Sequence, residues 1–193
     1  MSQYIFPKDT TKIDHTSYYW FKNGFSEEEI KKIKTLLEKY KYQESTTFSG
    51  SDKSVRDSKI KWIPYQEDTD WLYQKIYNMA KESNDEQFKF HLYYAKDNIQ
   101  YSKYSLNGKY DWHMDIGQGK NSLRKLSCSI LLNDPKEFVG GDLEFWVNKN
   151  PIKVPLEKGS VIFFPSFFLH RVTEIKRGER ESLVLWIGGD SYH

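Results

Sequence analysis

A chain of 193 residues is the size of one compact domain, and at that length about 70% of the unfolded surface can be buried without covalent staples. Its 29 basic and 27 acidic residues leave a formal net charge of +2, which offers no electrostatic footprint for nucleic acid or an anionic membrane. The single cysteine, Cys128, excludes an internal disulfide framework, the stretch Met1 to Lys12 is polar, and no run of about 18 apolar residues occurs; the expectation is a soluble, cytoplasmic protein with no membrane partner.

In chain order, Ser26 followed by Glu29 has the spacing of a capping box, and Ile30, Ile33, Leu37 and Tyr40 then fall on one stripe, which predicts a helix over about 27–40. A second helix begins near Asp70, with Trp71, Leu72, Ile76, Met79 and Ala80 on its apolar face, and an edge strand is expected around Ile60 to Ile63. From about residue 88 the apolar period shortens to two, as in Phe88, Phe90, Leu92 and Tyr94. Strands are predicted near 88–95, 98–105, 109–115, 124–132, 142–147, 151–156, 160–164, 168–174 and 180–188, with Gly- and Asn-containing turns between them. An aromatic content of 17% suits broad sheet faces. The clusters Tyr18 to Phe21 and Phe163 to Phe168 read as core. The fold expected is mainly β with flanking helices: residues 1–95 as a mostly helical support region with edge strands, and 96–190 as a double-sheet jelly roll, or double-stranded β-helix.

The chemistry starts at His113-Met114-Asp115. Residues i and i+2 of a strand share a face and can grip one ion together, although chance alone makes one such pair unsurprising. His170 gives it weight, because it closes the apolar run Val161 to Leu169, where a polar ring needs a partner. If the strands holding them are neighbours, His113, Asp115 and His170 provide two imidazoles and one carboxylate. That set occupies one face of an octahedral ion and leaves the other positions open, as in non-heme Fe(II) oxygenases; structural zinc would close its coordination with more protein ligands. Downstream, alternation puts Arg180, Ser182, Val184 and Trp186 on one face of a strand. An inward guanidinium requires an anion, because an unpaired buried charge is costly. A dicarboxylate held by Arg180, with help from the Ser182 hydroxyl, would meet that requirement. His15, His91 and His193 have no such partners and are assigned structural or solvent roles.

Several ordered motifs now bear on one another: Gln100-Tyr101-Ser102-Lys103-Tyr104, Gly108, Tyr110, Trp112-His113-Met114-Asp115, Leu126 to Asp134, Gly140-Gly141-Asp142-Leu143, Leu169 to Thr173, and Gly178-Glu179-Arg180. Over about residues 98–188 the sequence resembles the Fe(II)- and 2-oxoglutarate-dependent dioxygenases, in their prolyl 4-hydroxylase-like branch, which includes the bacterial PKHD-type hydroxylases. The resemblance implies that His113, Asp115 and His170 hold Fe(II) as the catalytic centre, and that Arg180 binds the distal carboxylate of the cosubstrate 2-oxoglutarate. It implies that Tyr104 lines the cosubstrate pocket, that O2 is consumed with ascorbate as an auxiliary reductant, and that Tyr110, Trp112 and Trp186 wall the substrate pocket. Leu131 stands where some prolyl hydroxylases carry a tyrosine that assists the arginine, so Ser182 or Tyr104 is left for that task.

The activity implied is hydroxylation of an unactivated C–H bond, on a prolyl or other side chain of a protein or peptide. Two alternatives stay open: a free amino acid or other small-molecule substrate on the same centre, and a non-catalytic jelly-roll binding module. Substrate specificity is expected to sit in segments 44–60 and 116–123.

Overall fold

The structure, a computed structural model, describes residues 17–45, 52–93, 97–147 and 149–190; His15, Tyr94, His193 and part of the 44–60 segment lie outside the described residues. Strand β1 (Tyr19–Phe21) leads into helix α1 (Glu27–Leu37). The capping box is present: Glu29 N donates to Ser26 Oγ at 3.3 Å, and Ser26 N donates to Glu29 Oε2 at 2.8 Å. Helix α1 stops earlier than expected, and one tighter turn carries the chain on, with Lys39 N and Tyr40 N bonding the carbonyls of Leu36 and Leu37 at 3.2 Å each. Strands β2 (Gln43–Glu44), β3 (Arg56–Asp57) and β4 (Lys59–Ile63) precede helix α2 (Asp70–Ser83).

Of the strand predicted over 88–95, the described residues 88–93 form no strand. A π turn at Asn84–Phe88 extends α2, and Lys89 then adopts a left-handed φ of 59°, which breaks any extended run. Asn84 occupies the backbone that a neighbouring strand would have taken: its Nδ2 donates to Phe90 O at 2.9 Å and its Oδ1 accepts from Phe90 N at 2.8 Å. Leu92 makes an isolated bridge to Gly189.

Ten strands follow: β5 (Ile99–Tyr104), β6 (Lys109–His113), β7 (Arg124–Leu131), β8 (Val139–Gly140), β9 (Leu143–Phe145), β10 (Ile152–Lys153), β11 (Val161–Pro165), β12 (His170–Val172), β13 (Ile175–Arg177) and β14 (Arg180–Gly188). They build the two antiparallel sheets of a jelly roll. The larger has the order β1-β11-β7-β14-β5-β4-β2, the smaller β10-β9-β12-β6-β3, and β13-β8 form a separate ribbon. Strand β4, expected at an edge, lies one position inside, covered by β2. Among the described residues no helix is long and apolar enough to cross a membrane.

Alternation divides the larger sheet into two unlike faces. Leu126, Cys128 and Ile130 of β7, Leu183, Leu185 and Ile187 of β14, and Val161 and Phe163 of β11 pack with Ile30, Ile33, Leu72 and Ile76 of the helices in the main apolar core. The opposite residues, Gln100 and Ser102 of β5, Ser127 and Ser129 of β7, and Arg180 and Ser182 of β14, are buried but polar. A smaller apolar cluster of Leu143, Phe145, Val154, Ile162 and Phe164 fills one part of the space between the sheets. The rest is left for a cavity.

Candidate metal centre

Strands β6 and β12 are antiparallel neighbours whose register sets His113 directly opposite His170, with ring centroids 4.1 Å apart. Residues remote in sequence thus become a cross-strand pair. Each Nδ1 lies against the carbonyl two residues before it, His113 on Asp111 O at 2.7 Å and His170 on Phe168 O at 2.9 Å. A carbonyl can only accept, so Nδ1 carries the proton and each Nε2 presents its lone pair. Both lone pairs face Asp115: His113 Nε2 is 3.7 Å from Oδ1 and His170 Nε2 is 3.5 Å from Oδ2. One donor atom from each of the three residues falls within 4.8 Å of the others.

The electrostatics suit a cation. Burial, reinforced by His170, depresses the His113 pKa from 6.5 to about 3, so that ring is neutral near pH 7. Burial alone would raise the Asp115 pKa, but His170 and His113, with the Ser127 hydroxyl and the nearby Trp186, outweigh it and hold the carboxyl below its ordinary value. The centre therefore offers a neutral imidazole at His113 and a carboxylate at Asp115, the protonation states a metal requires of them.

Arg180 opens β14 opposite Tyr104 of β5 and is almost wholly buried, at 1% exposure. Its Nη1 donates to Ser182 Oγ at 2.8 Å, and its guanidinium carbon is 5.8 Å from the centre of the Tyr104 ring. Among the described residues it has no ion-pair partner, and its Nε has no hydrogen-bond acceptor. Gly141 makes room for its stem: at φ 65°, a Cβ there would come within 3.0 Å of Arg180 Cδ and 2.5 Å of Ile175 Cδ1.

His113, Asp115, His170, Tyr104, Tyr110, Arg180, Ser182 and Trp186 line one cavity of about 370 Å³. Tyr110 stacks on His113 with ring centroids 3.4 Å apart, and burial pushes its hydroxyl pKa up to about 12. Trp112 does not line the cavity. Adjacent strand residues face opposite ways, so the inward orientation of His113 turns Trp112 outward, where it meets Trp146 edge-on at 5.3 Å and lies under the Arg171 guanidinium. The expected pocket wall therefore lacks Trp112. Leu131 lies opposite Ser182 on β14 and is buried without lining the cavity.

Several lining residues were not singled out from sequence. Arg124 donates from Nε and Nη2 to Asp97 Oδ2 at 3.0 and 2.8 Å and from Nη1 to the Asp115 carbonyl at 3.1 Å, while its guanidinium lies 3.9 Å over Trp186. Lys120 adds a bond to Asp97 Oδ1 at 3.1 Å. Against the effect of burial, these two cations hold the Asp97 carboxyl below its ordinary value. Arg56 lines the opposite wall, over the Tyr110 ring. The serines of β7 carried a readable signal: Ser127 and Ser129 alternate with Leu126, Cys128 and Ile130, as in a strand whose polar face looks into a cavity.

Two imidazoles and a carboxylate on the inner wall of a jelly roll match the donor set of a mononuclear centre of the non-heme oxygenase kind. Comparison with known proteins agrees. The model of the 2OG-Fe(II) oxygenase superfamily matches residues 99–188. A PKHD-type hydroxylase of Teredinibacter turnerae is 34% identical over 93 residues, covering 46% of this chain and 41% of its own length; the alignment spans about two fifths of that relative. Among solved structures, the prolyl hydroxylase from Trichoplax adhaerens, in complex with a hypoxia inducible factor oxygen degradation domain peptide fragment, superposes with a TM-score of 0.73 at 17% identity, covering 90% of this chain and 84% of that one. A Pseudomonas putida prolyl-4-hydroxylase gives 0.69 at 17% identity, covering 91% and 94%. These two likenesses show the fold. Residues 99–188 are thus similar to the 2OG-Fe(II) oxygenase superfamily and to part of the PKHD-type hydroxylases.

That family implies Fe(II), 2-oxoglutarate and O2, and the residues fit them. Two Nε2 lone pairs and an ionised carboxylate suit a ferrous ion. The unanswered Nε of a buried arginine in the same cavity suits the carboxylate of a keto diacid.

Proposed function

We propose that this protein hydroxylates an unactivated C–H bond in a protein or peptide side chain, with proline as the preferred acceptor. The observation that carries the reading is the convergence of His113, Asp115 and His170 with the unsatisfied, fully enclosed Arg180 on one cavity. Bound there, Fe(II), 2-oxoglutarate and O2 would supply the oxidising power, with one oxygen atom of O2 ending in succinate beside CO2 and the other in the product hydroxyl.

The chain's own groups do the positioning. His113 and His170 present Nε2 because their Nδ1 protons are committed to backbone carbonyls. Arg180 and the Ser182 hydroxyl, which are hydrogen-bonded to each other beside the Tyr104 ring, would hold the distal end of the keto acid. Trp186 and Tyr110 line the cavity with aromatic surface. The preference for proline in a polypeptide is supported by the prolyl hydroxylases that share the fold, one of them holding a peptide.

The test has two arms. Under nitrogen, Fe(II) and 2-oxoglutarate added to the native chain should give a weak visible charge-transfer band that is lost in His170→Ala. In air, with ascorbate, proline-containing peptide libraries should gain one oxygen atom per molecule of succinate formed. Absence of the band in the native chain overturns the metal and keto-acid assignment. A band without any oxygenated peptide, alongside oxygenation of a free amino acid, overturns the polypeptide assignment only.

A further inference from the structure

Behind the centre lies a chain of hydroxyl groups that the metal and keto acid do not themselves require. Ser127, on the inward face of β7 and fully buried, donates to Asp115 Oδ2 at 2.7 Å. Its oxygen lies 2.9 Å from Ser166 Oγ, also fully buried, just after β11. A serine has one proton to give. With the Ser127 proton committed to the carboxylate, the Ser166 proton must point to Ser127, so the chain runs from Ser166 through Ser127 to Asp115.

The backbone closes the same loop. Asp115 N and Ile116 N both donate to Ser166 O, at 2.9 and 3.1 Å, and Ser166 N donates to Lys125 O at 2.9 Å. Asp115 lies two residues beyond the end of β6 and has no ladder of its own to fix it, so these bonds set its position and the Ser127 hydroxyl sets its carboxylate. With Oδ2 held from behind, Oδ1 is left facing His113 Nε2.

We propose that Ser127, backed by Ser166, is a positioning residue that pre-sets the Asp115 carboxylate in its metal-binding orientation before the ion arrives. The inference rests on the metal site assigned above. An alanine at 127 would leave Asp115 free to turn between its two imidazole neighbours, and loss of a partner hydrogen-bonded to a metal ligand typically weakens metal binding by about 10- to 100-fold.

Cobalt(II), titrated into the metal-free protein under nitrogen and read by its visible absorption, tests this without turnover. The native chain should bind and His170→Ala should not; failure of the native chain to bind overturns the site itself. Given binding, Ser127→Ala should raise the Co(II) dissociation constant about 10- to 100-fold, and Ser127→Thr, which keeps the hydroxyl, should return it to within roughly threefold of native. Ser166→Ala, which removes only the rear donor, should fall between native and Ser127→Ala. Native-like affinity in Ser127→Ala, or a loss in Ser127→Thr as large as in Ser127→Ala, overturns the role of Ser127 and leaves the metal site standing. Should Ser127→Ala not fold, Ser166→Ala decides: weakened Co(II) binding supports the relay, and unchanged binding refutes it.

Discussion

Replacing Arg180 by methionine should make the ligand-free protein more stable and abolish its response to 2-oxoglutarate. Arg180 is 1% exposed, its guanidinium donates to Ser182 Oγ, and its Nε is unanswered among the described residues. Burial pulls its pKa down, with Tyr104 and Asp142 opposing only in part. An apolar side chain of similar volume in place of a poorly compensated buried charge is worth up to about 1–4 kcal/mol, and each kcal/mol moves the melting temperature by about 2–4 °C in a chain of this size. The ligand effect has the opposite sign. Two hydrogen bonds from a guanidinium to a carboxylate contribute about 1.5–3 kcal/mol each, so their loss should raise the 2-oxoglutarate dissociation constant by about a hundredfold or more. Native protein with 2-oxoglutarate at a hundred times its dissociation constant gains about 2.7 kcal/mol. Thermal melts of both proteins, with Fe(II) under nitrogen and with or without 2-oxoglutarate, therefore decide. The native chain should shift upward with ligand, and Arg180→Met should start higher and stay there. A variant that melts below native without ligand, or that keeps the ligand shift, would refute the assignment of Arg180 as an anion site held in readiness.

Gly141→Ala should lower stability by about 1–3 kcal/mol, because a Cβ at φ 65° would press on Ile175 and the Arg180 stem, and it should weaken 2-oxoglutarate binding by displacing that stem; a binding isotherm equal to native would sever the link. Phe145→Ala removes a fully buried ring that packs on Phe164, Phe168 and His170 and should cost about 3–5 kcal/mol in chemical denaturation; a loss under about 1 kcal/mol would show that this cluster collapses freely. Metal-free protein should lose denaturant resistance as pH falls from 7 to 5. With the His113 pKa depressed to about 3 from 6.5, the unfolded chain binds the extra proton in that window, and the loss attributable to this group is at most about 2 kcal/mol. In His113→Gln that share of the slope should vanish, and an undiminished slope would place its origin elsewhere.

What could be read from sequence was whatever period alone controls. Arg180, Ser182 and Trp186 share the inward face of β14, as alternation requires, while Leu183, Leu185 and Ile187 meet the helices. The same rule places Trp112 outside, whereas Tyr110 lines the cavity because the register shifts between it and His113. Reading Phe88, Phe90 and Leu92 as a strand failed for a local reason that period does not encode: the Asn84 side chain bonds both sides of Phe90, and Lys89 turns left-handed. The pairing of β1 with β11, the strut from Asp97 through Arg124 to the Asp115 carbonyl, and the contact of Gly141 with Arg180 are long-range products of packing. No spacing within one segment announces them.

The two-faced character of β7 and β14 has a mechanical consequence. Cohesion comes mostly from the side that meets α1 and α2, whereas chemistry is carried by serines, glutamine and arginine on the reverse of the same strands. A shared wall of this kind lets the reactive lining be rewritten, one alternate position at a time, while the opposite positions go on gripping the helices. New acceptors could thus be explored on this scaffold without first rebuilding what keeps it folded.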